Sequence, residues 1–302
     1  MGVQIPHFHN THLNRIWWAL SSDSFLSLSD SVIYFQDAEH KAEVLQLLKL
    51  ADENPELVNA HFDSLGQMPM GRYFEQLLIF ILERDQRYDL LAHNVQIIED
   101  KITRGELDLI LYDRKNEEHL HWEVALKFYL QVGETGDHHN FLGPSKRDFL
   151  GRKMKKLWQN QMPLSRHPQI REKYGSLKSG LFLKGQLFYP FKENIIPPDQ
   201  ANSAALSFEY LSIKDFKNQA WPEEAIFKIL KKPDWIGPKD LTLESELFNA
   251  KEILEQLHQE MERIDRPQLV AQFKEQDARY LEQERYFVTT ENWPLPNQEA
   301  KL

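Results

Sequence analysis

The sequence predicts an α/β protein, on two observations. From His119 to Leu130 the residues alternate with a period of two. Leu120, Trp122, Val124, Leu126, Phe128 and Leu130 fall on one face, and His119, His121, Glu123, Ala125, Lys127 and Tyr129 on the other. That pattern predicts a strand with one buried face and one chemical face. Further upstream, Pro69 to Arg84 carries Phe74, Leu77, Leu78, Ile81 and Leu82 at the i, i+3, i+4, i+7, i+8 spacing of a core-facing helix.

At 302 residues and 41% hydrophobic content, the chain is long enough for one large domain or a core domain with a second lobe. It contains no cysteine, which excludes a disulfide framework and any cysteine-based zinc site or nucleophile. The longest purely apolar run, Leu77 to Leu82, is too short to span a bilayer, and residues 1–6 lack a basic region leading into an apolar one. A cytoplasmic protein with no membrane partner is expected.

In chain order, residues 1–65 read as a helical extension. Leu13 to Leu20 and Glu39 to Leu50 have helical spacing, and Asp52-Glu53-Asn54-Pro55 breaks the second run. His7, His9 and His12 could be imagined as a metal cluster, but near an N-terminus and with no carboxylate partner they read as solvent-exposed. Residues 66–192 hold the core, beginning with the helix at 69–84. After Asp89 to Asn94, Val95 to Ile98 reads as a short strand, and Gly133 to Pro144, with three glycines, as a polar connection. Ser145 to Gln161 reads as an amphipathic helix, and Leu181 to Pro190 as a further core strand. Pro197-Pro198-Asp199 is the best linker signal, opening an acidic C-terminal region, 193–302, with long helices expected at Glu244 to Glu262 and Gln268 to Arg285. Tyr286 to Val288 reads as strand, and Phe208 to Ile213 and Ala225 to Leu230 are ambiguous.

The chemistry concentrates in a predicted hairpin. An apolar run, Gly105-Glu106-Leu107-Asp108-Leu109-Ile110-Leu111-Tyr112, is joined to the alternating strand by Asp113 to Glu118, which lacks strand-forming residues. If Tyr112 pairs with His119, antiparallel counting sets Asp108 opposite Glu123, with Cβ atoms about 4.5 to 5.5 Å apart. Facing carboxylates on a half-buried surface repel and lose hydration, so such a pair signals a bound cation or a shared proton. Lys127 shares the Glu123 face. Carboxylates converging with a lysine suit metal-dependent phosphodiester hydrolysis, which needs oxygen ligands for a hard divalent ion and an ammonium near the attacking water. His121 with Glu123 and Asp108 offers an alternative, transition-metal set.

Gly105-Glu106-Leu107-Asp108-Leu109-Ile110 and the Glu123 to Lys127 strand resemble the PD-(D/E)XK nuclease superfamily. So does Gly71-Arg72-Tyr73-Phe74-Glu75, which looks like the helix whose glutamate completes many of its sites. More closely, Arg72 to Glu75, Gly105 to Asp108 and Glu123 to Leu130 look like the bacterial family catalogued as domain of unknown function 1853. The resemblance implies a restriction-endonuclease-like core, a mixed central sheet flanked by helices, with helical N-terminal and mixed C-terminal additions. It also implies magnesium, or manganese in its place, held by Asp108 and Glu123 with Glu75 completing the set, and Lys127 as the catalytic lysine. The superfamily's lysine usually stands two residues after the glutamate, where this chain has Ala125. Four strand residues span about 13 Å rather than about 7 Å, so Lys127 must extend back to reach the site, or Lys153 or Lys184 must supply the charge.

The net charge of -10 argues against indiscriminate nucleic-acid binding, but the charge is uneven. From Pro144 to Lys192 there are twelve Lys and Arg against Asp148 and Glu172. Lys146, Arg147, Arg152, Lys153, Lys155 and Lys156 lead to Gln161, and the resemblance implies that such a helix lies beside the site and can lend it a lysine or glutamine. The expected function is a magnesium-dependent nuclease acting on DNA. A non-catalytic nucleic-acid-binding module of the same fold, favoured by Ala125, and a protein-interaction scaffold using the acidic C-terminal helices are the competing readings.

Overall fold

The computed structural model describes residues 6–27, 32, 33, 35, 37–193 and 195–294. The chain divides into two compact units, residues 1–126, 154–185 and 202–205 in the first and 127–153, 186–201 and 206–302 in the second. Both combine helices with β-structure, and strand pairing is parallel in places and antiparallel in others. No helix among the described residues is long and apolar enough to cross a membrane.

The first unit opens with four helices, α1 (Thr11–Ser21), α2 (Ala38–Asp52), α3 (Pro55–Asp63) and α4 (Met70–Leu82). Asn10 and Asp37 cap the first two, each side chain accepting backbone N–H groups of the first turn, and Pro55 starts the third at a position that needs no N–H donor. In α4 every residue from Leu77 to Leu82 is buried, so the stripe seen in the sequence widens into a helix covered nearly all round.

Strands β1 (Tyr88–Glu99), β2 (Ile102–Asp113), the first part of β3 (Glu118–Gln131) and the first part of β5 (Lys178–Pro190) follow in the order β1–β2–β3–β5. β1 runs through Asp89 to Asn94, well ahead of the short strand expected at Val95 to Ile98. It stays antiparallel to β2 by bulging between Leu90 and Ala92 and by placing Asn94 at a left-handed φ of 51°. Ile97, Leu107 and Ile110 pack with Ile170 of the short helix α6 (Pro168–Tyr174) and with Leu177. Trp122 stacks on Phe182 at 5.7 Å, and Phe74 of α4 lies 6.2 Å from the same ring.

His12 is half-buried rather than solvent-exposed. Its ring stacks on Phe62 at 4.0 Å, and Nδ1 lies 2.7 Å from the Tyr73 hydroxyl. Burial first, then Arg15, lower its pKa to about 4.

In the second unit β5 continues, joined by β6 (Ser207–Ser212), β7 (Ile226–Leu230), β8 (Asp240–Thr242), β9 (Phe248–Asn249), β10 (Gln268–Gln276) and β11 (Arg279–Thr289), in the order β5–β6–β11–β10–β7–β9. β6 pairs parallel with both β5 and β11, and the other pairings are antiparallel. The amphipathic helix α8 (Ala250–Arg263) buries Ile253, Leu257 and Met261 against Phe216, Phe227, Val270 and Val288. It starts six residues later than the sequence suggests, because Asn249 and Glu252 form a reciprocal capping box there.

Three further expectations change. Gln268 to Arg285 is not a helix but the hairpin of β10 and β11, with Leu269, Val270, Ala271 and Phe273 buried and a turn at Asp277 and Ala278. Its Gln, Glu, Lys and Ala content favours helix locally, and pairing on both sides of β10 overrides that preference. Gly133 to Pro144 contains the two-residue strand β4 (Phe141–Leu142), paired with β3. The linker signal at 197–199 is tied down within the second unit, where Asp199 N–H donates to Gly136 O at 2.8 Å and His138 Nε2 meets Asp199 O at 2.7 Å.

Candidate functional site

The hairpin register is the one the sequence predicts from Leu109 to Asp113. Tyr112 pairs with His119 and Leu109 with Trp122, and the next step of the same register is Asp108 with Glu123. There the ladder gives way to a side-chain bond, Val124 N–H donating to Asp108 Oδ2 at 2.8 Å. The bond fixes the Asp108 carboxylate against the backbone next to Glu123.

The chemical face of β3 is covered. His121 is fully buried, Glu123 is 1% exposed, and Ala125 and Tyr129 are buried as well, so the chemical face, expected to be half-buried, is covered more completely than the sequence suggests. In the first unit the cover includes the segment that follows helix α5 (Leu150–Lys156), a π turn at Leu157–Gln161 running into a 3₁₀ turn at Met162–Arg166. A Cβ on Gly105 would stand 2.5 Å from Leu164 Cδ1, which shows how closely this segment packs on β2.

The π turn holds one more residue than an α turn would, a device common at functional sites, and it ends on Gln161. Gln161 Nε2 donates to Glu123 Oε1. On the other side, His121 Nε2 lies 3.8 Å from Glu123 Oε2, and Nδ1 lies 3.3 Å from Ser179 Oγ, which donates to Ser165 Oγ at 2.7 Å. Burial lowers the His121 pKa to about 4, so the imidazole beside Glu123 is neutral at pH 7.

The expected helix from Ser145 to Gln161 begins only at Leu150. Lys146 and Arg147 precede it in a turn where Lys146 has a φ of 60° and Gly143 N–H donates to Asp148 O. Arg147, Arg152, Lys155 and Lys156 are exposed; Lys146 is partly covered and pairs with Asp265 at 3.1 Å, and Lys153 is half-buried.

Glu75 is half-buried on α4. Lys127 belongs to the second unit, where its Nζ meets Asp148 Oδ2 at 2.6 Å and the Tyr129 hydroxyl donates to the same oxygen at 3.2 Å. Asp148 is the one acid between Pro144 and Arg171, and that isolation in a basic run was the available signal for a lysine partner. Lys184, the other lysine weighed for the site, is buried and donates to Ser22 O at the end of α1.

The oxygen donors at Asp108 and Glu123 suit a hard divalent ion, which takes one or two carboxylates and keeps several waters. Among the described residues no three of His, Asp and Glu converge closely enough to hold a metal, so Glu75, Asp108 and Glu123 do not form a ready-made cage.

The family profile described as domain of unknown function (DUF1853) matches residues 15–289. No curated protein and no solved structure matches the chain. The match runs through both units and includes the hairpin, α4 and the Gln161 segment, and on it the chain belongs to the DUF1853 family.

Proposed function

We propose that the chain is a magnesium- or manganese-dependent nuclease of the PD-(D/E)XK type, acting on DNA. The observation that carries the reading is the hydrogen bond from Gln161 to Glu123, with Asp108 accepting from the N–H of the next residue, Val124. Asp108 and Glu123 would hold the ion, and Glu75 is the third carboxylate of the reading. The bound ion would supply charge neutralisation at the scissile phosphate and a more acidic water. Asp108 is kept in place by the Val124 N–H, Gln161 orients Glu123, and His121 stays neutral and so does not compete with a cation for the carboxylate. The exposed Arg147, Arg152, Lys155 and Lys156 would engage the phosphodiester backbone.

The test is a calorimetric magnesium titration of the purified protein beside a cleavage assay on single-stranded, double-stranded and branched DNA. Wild type is expected to bind and cut, and Asp108→Ala to lose both. One observation favours a second reading, a non-catalytic nucleic-acid-binding module. Lys127, the only lysine downstream on the Glu123 strand, is engaged by Asp148, and Ala125 fills the usual lysine position. Binding of magnesium and DNA without cleavage of any substrate would select that reading.

A further inference from the structure

The second unit contains a cleft of about 730 Å³ that the carboxylate hairpin does not explain. It opens where β5, β6 and β11 end, at Pro190, Ser212 and Thr289, beside the last residue of β3, Gln131. These three strands are mutually parallel, and the carboxyl ends of parallel strands are where open α/β sheets bind ligands. The volume falls within the range of small-molecule sites, about 300 to 1,000 Å³.

Its chemistry is one-sided. Glu134, Glu193, Asp215 and Glu291 line the rim, and the one cation among the described lining residues, Lys192, has its Nζ taken by Gln219 Oε1 at 2.9 Å. Several carboxylates around one concavity focus a negative potential into it. Phe191, Tyr210 and Trp293 form the aromatic part of the wall, the rings of Tyr210 and Trp293 edge to face at 5.8 Å. The Tyr210 phenol is pushed up to about 12 by burial and by Glu193, which places that carboxylate's field on the ring.

Two buried side chains of the lining are unmatched. Trp293 is 7% exposed and its Nε1 has no hydrogen-bond partner. Gln131 is 3% exposed; its Nε2 donates to Gly133 O at 2.8 Å while its Oε1 has none. A buried donor or acceptor left without a partner carries its desolvation cost uncompensated. A ligand offering both an N–H and a carbonyl oxygen would recover both costs after a small turn of the indole and the amide.

We propose that the cleft at the carboxyl ends of β5, β6 and β11 binds a cationic ligand that also carries a carbonyl oxygen, the chemistry of an arginine or lysine residue, free or within a peptide. The cation sits among the rim carboxylates and against the Trp293 and Tyr210 faces, the carbonyl accepts from Trp293 Nε1, and an N–H reaches Gln131 Oε1. The proposal is independent of the nuclease reading.

Isothermal titration of the full chain with arginine amide, an acetylated Ala-Arg-Ala amide, spermidine and neutral propionamide tests it. Saturable binding of the two arginine probes but not of propionamide is expected, with the peptide the tighter if the natural ligand is a chain segment and equal if it is a free molecule. The rim variant Glu134→Gln/Glu193→Gln/Glu291→Gln should weaken arginine amide about tenfold or more. Trp293→Phe keeps an aromatic face but removes the donor, so it should weaken the arginine probes by a larger factor than spermidine, which has no acceptor. Wild type that binds none of the cations, or a correctly folded rim variant that binds as well as wild type, would overturn the proposal.

Discussion

A buried histidine beside a buried carboxylate makes the site sensitive to acid. The His121 pKa falls from an ordinary 6.5 to about 4 because burial penalises the charged ring. Below pH 6.5 the unfolded chain takes up a proton there that the folded chain refuses until about pH 4, so stability drops as pH falls through that window. His12 acts in the same direction over the same window. In His121→Gln, urea midpoints measured near pH 6.5 and pH 4.5 should therefore lie closer together than in wild type. An unchanged gap would mean that the folded imidazole carries charge. Lys184 has the opposite location and a comparable cause: burial, opposed by Asp23, lowers its pKa from 10.5 to about 8. The unfolded chain keeps that proton up to 10.5 while the folded chain releases it near 8, so this residue adds stability as pH rises between the two. Lys184→Met should remove that rise in thermal melts between pH 8 and 9.5 and leave stability at pH 7 equal or higher, since an apolar side chain of similar length replaces a buried charge.

At the scale of elements, the β10–β11 turn carries its own test. Asp277 and Ala278 both have positive φ, 50° and 59°, the conformation of a two-residue hairpin turn in which glycine is preferred at the second position. A non-glycine residue there costs about 1 to 2 kcal/mol, so Ala278→Gly should stabilise the fold by roughly 1 kcal/mol in urea denaturation. The same turn explains why this hairpin is hard to read: Asp-Ala gives no glycine cue, and the flanking Glu, Gln and Lys residues favour helix until β7 and β11 pair on either side of β10. The hairpin register from Leu109–Trp122 to Asp113–Glu118 was legible because two local signals agree there, strict alternation after His119 and a six-residue polar break before it. The burial of that face was not, since what covers it comes from residues 157–166, and the step from α to π geometry that ends on Gln161 has no signature in Leu-Trp-Gln-Asn-Gln. Deleting Asn160 should restore α geometry, rotate Gln161 away from Glu123 by about 100°, and lower the apparent magnesium affinity while circular dichroism stays close to that of wild type.

For the molecule as a whole, a net charge of -10 opposes a polyanion everywhere except where cations are gathered and free to act. Lys127 is engaged by Asp148 and, in the basic run, Lys146 by Asp265, whereas Arg147, Arg152, Lys155 and Lys156 are exposed. If DNA is held by these four, its affinity falls with salt through counterion release, each phosphate contact contributing a slope of about 0.9 in log affinity against log salt. Replacing all four with alanine should then weaken binding strongly at low salt and reduce that slope by roughly 3 to 4. Replacing Lys146 alone should do little, because its charge is already matched. Fluorescence anisotropy with a short duplex at several salt concentrations measures both quantities. A quadruple variant whose slope equals that of wild type would place the polyanion elsewhere and remove these four residues from the proposed contact with DNA.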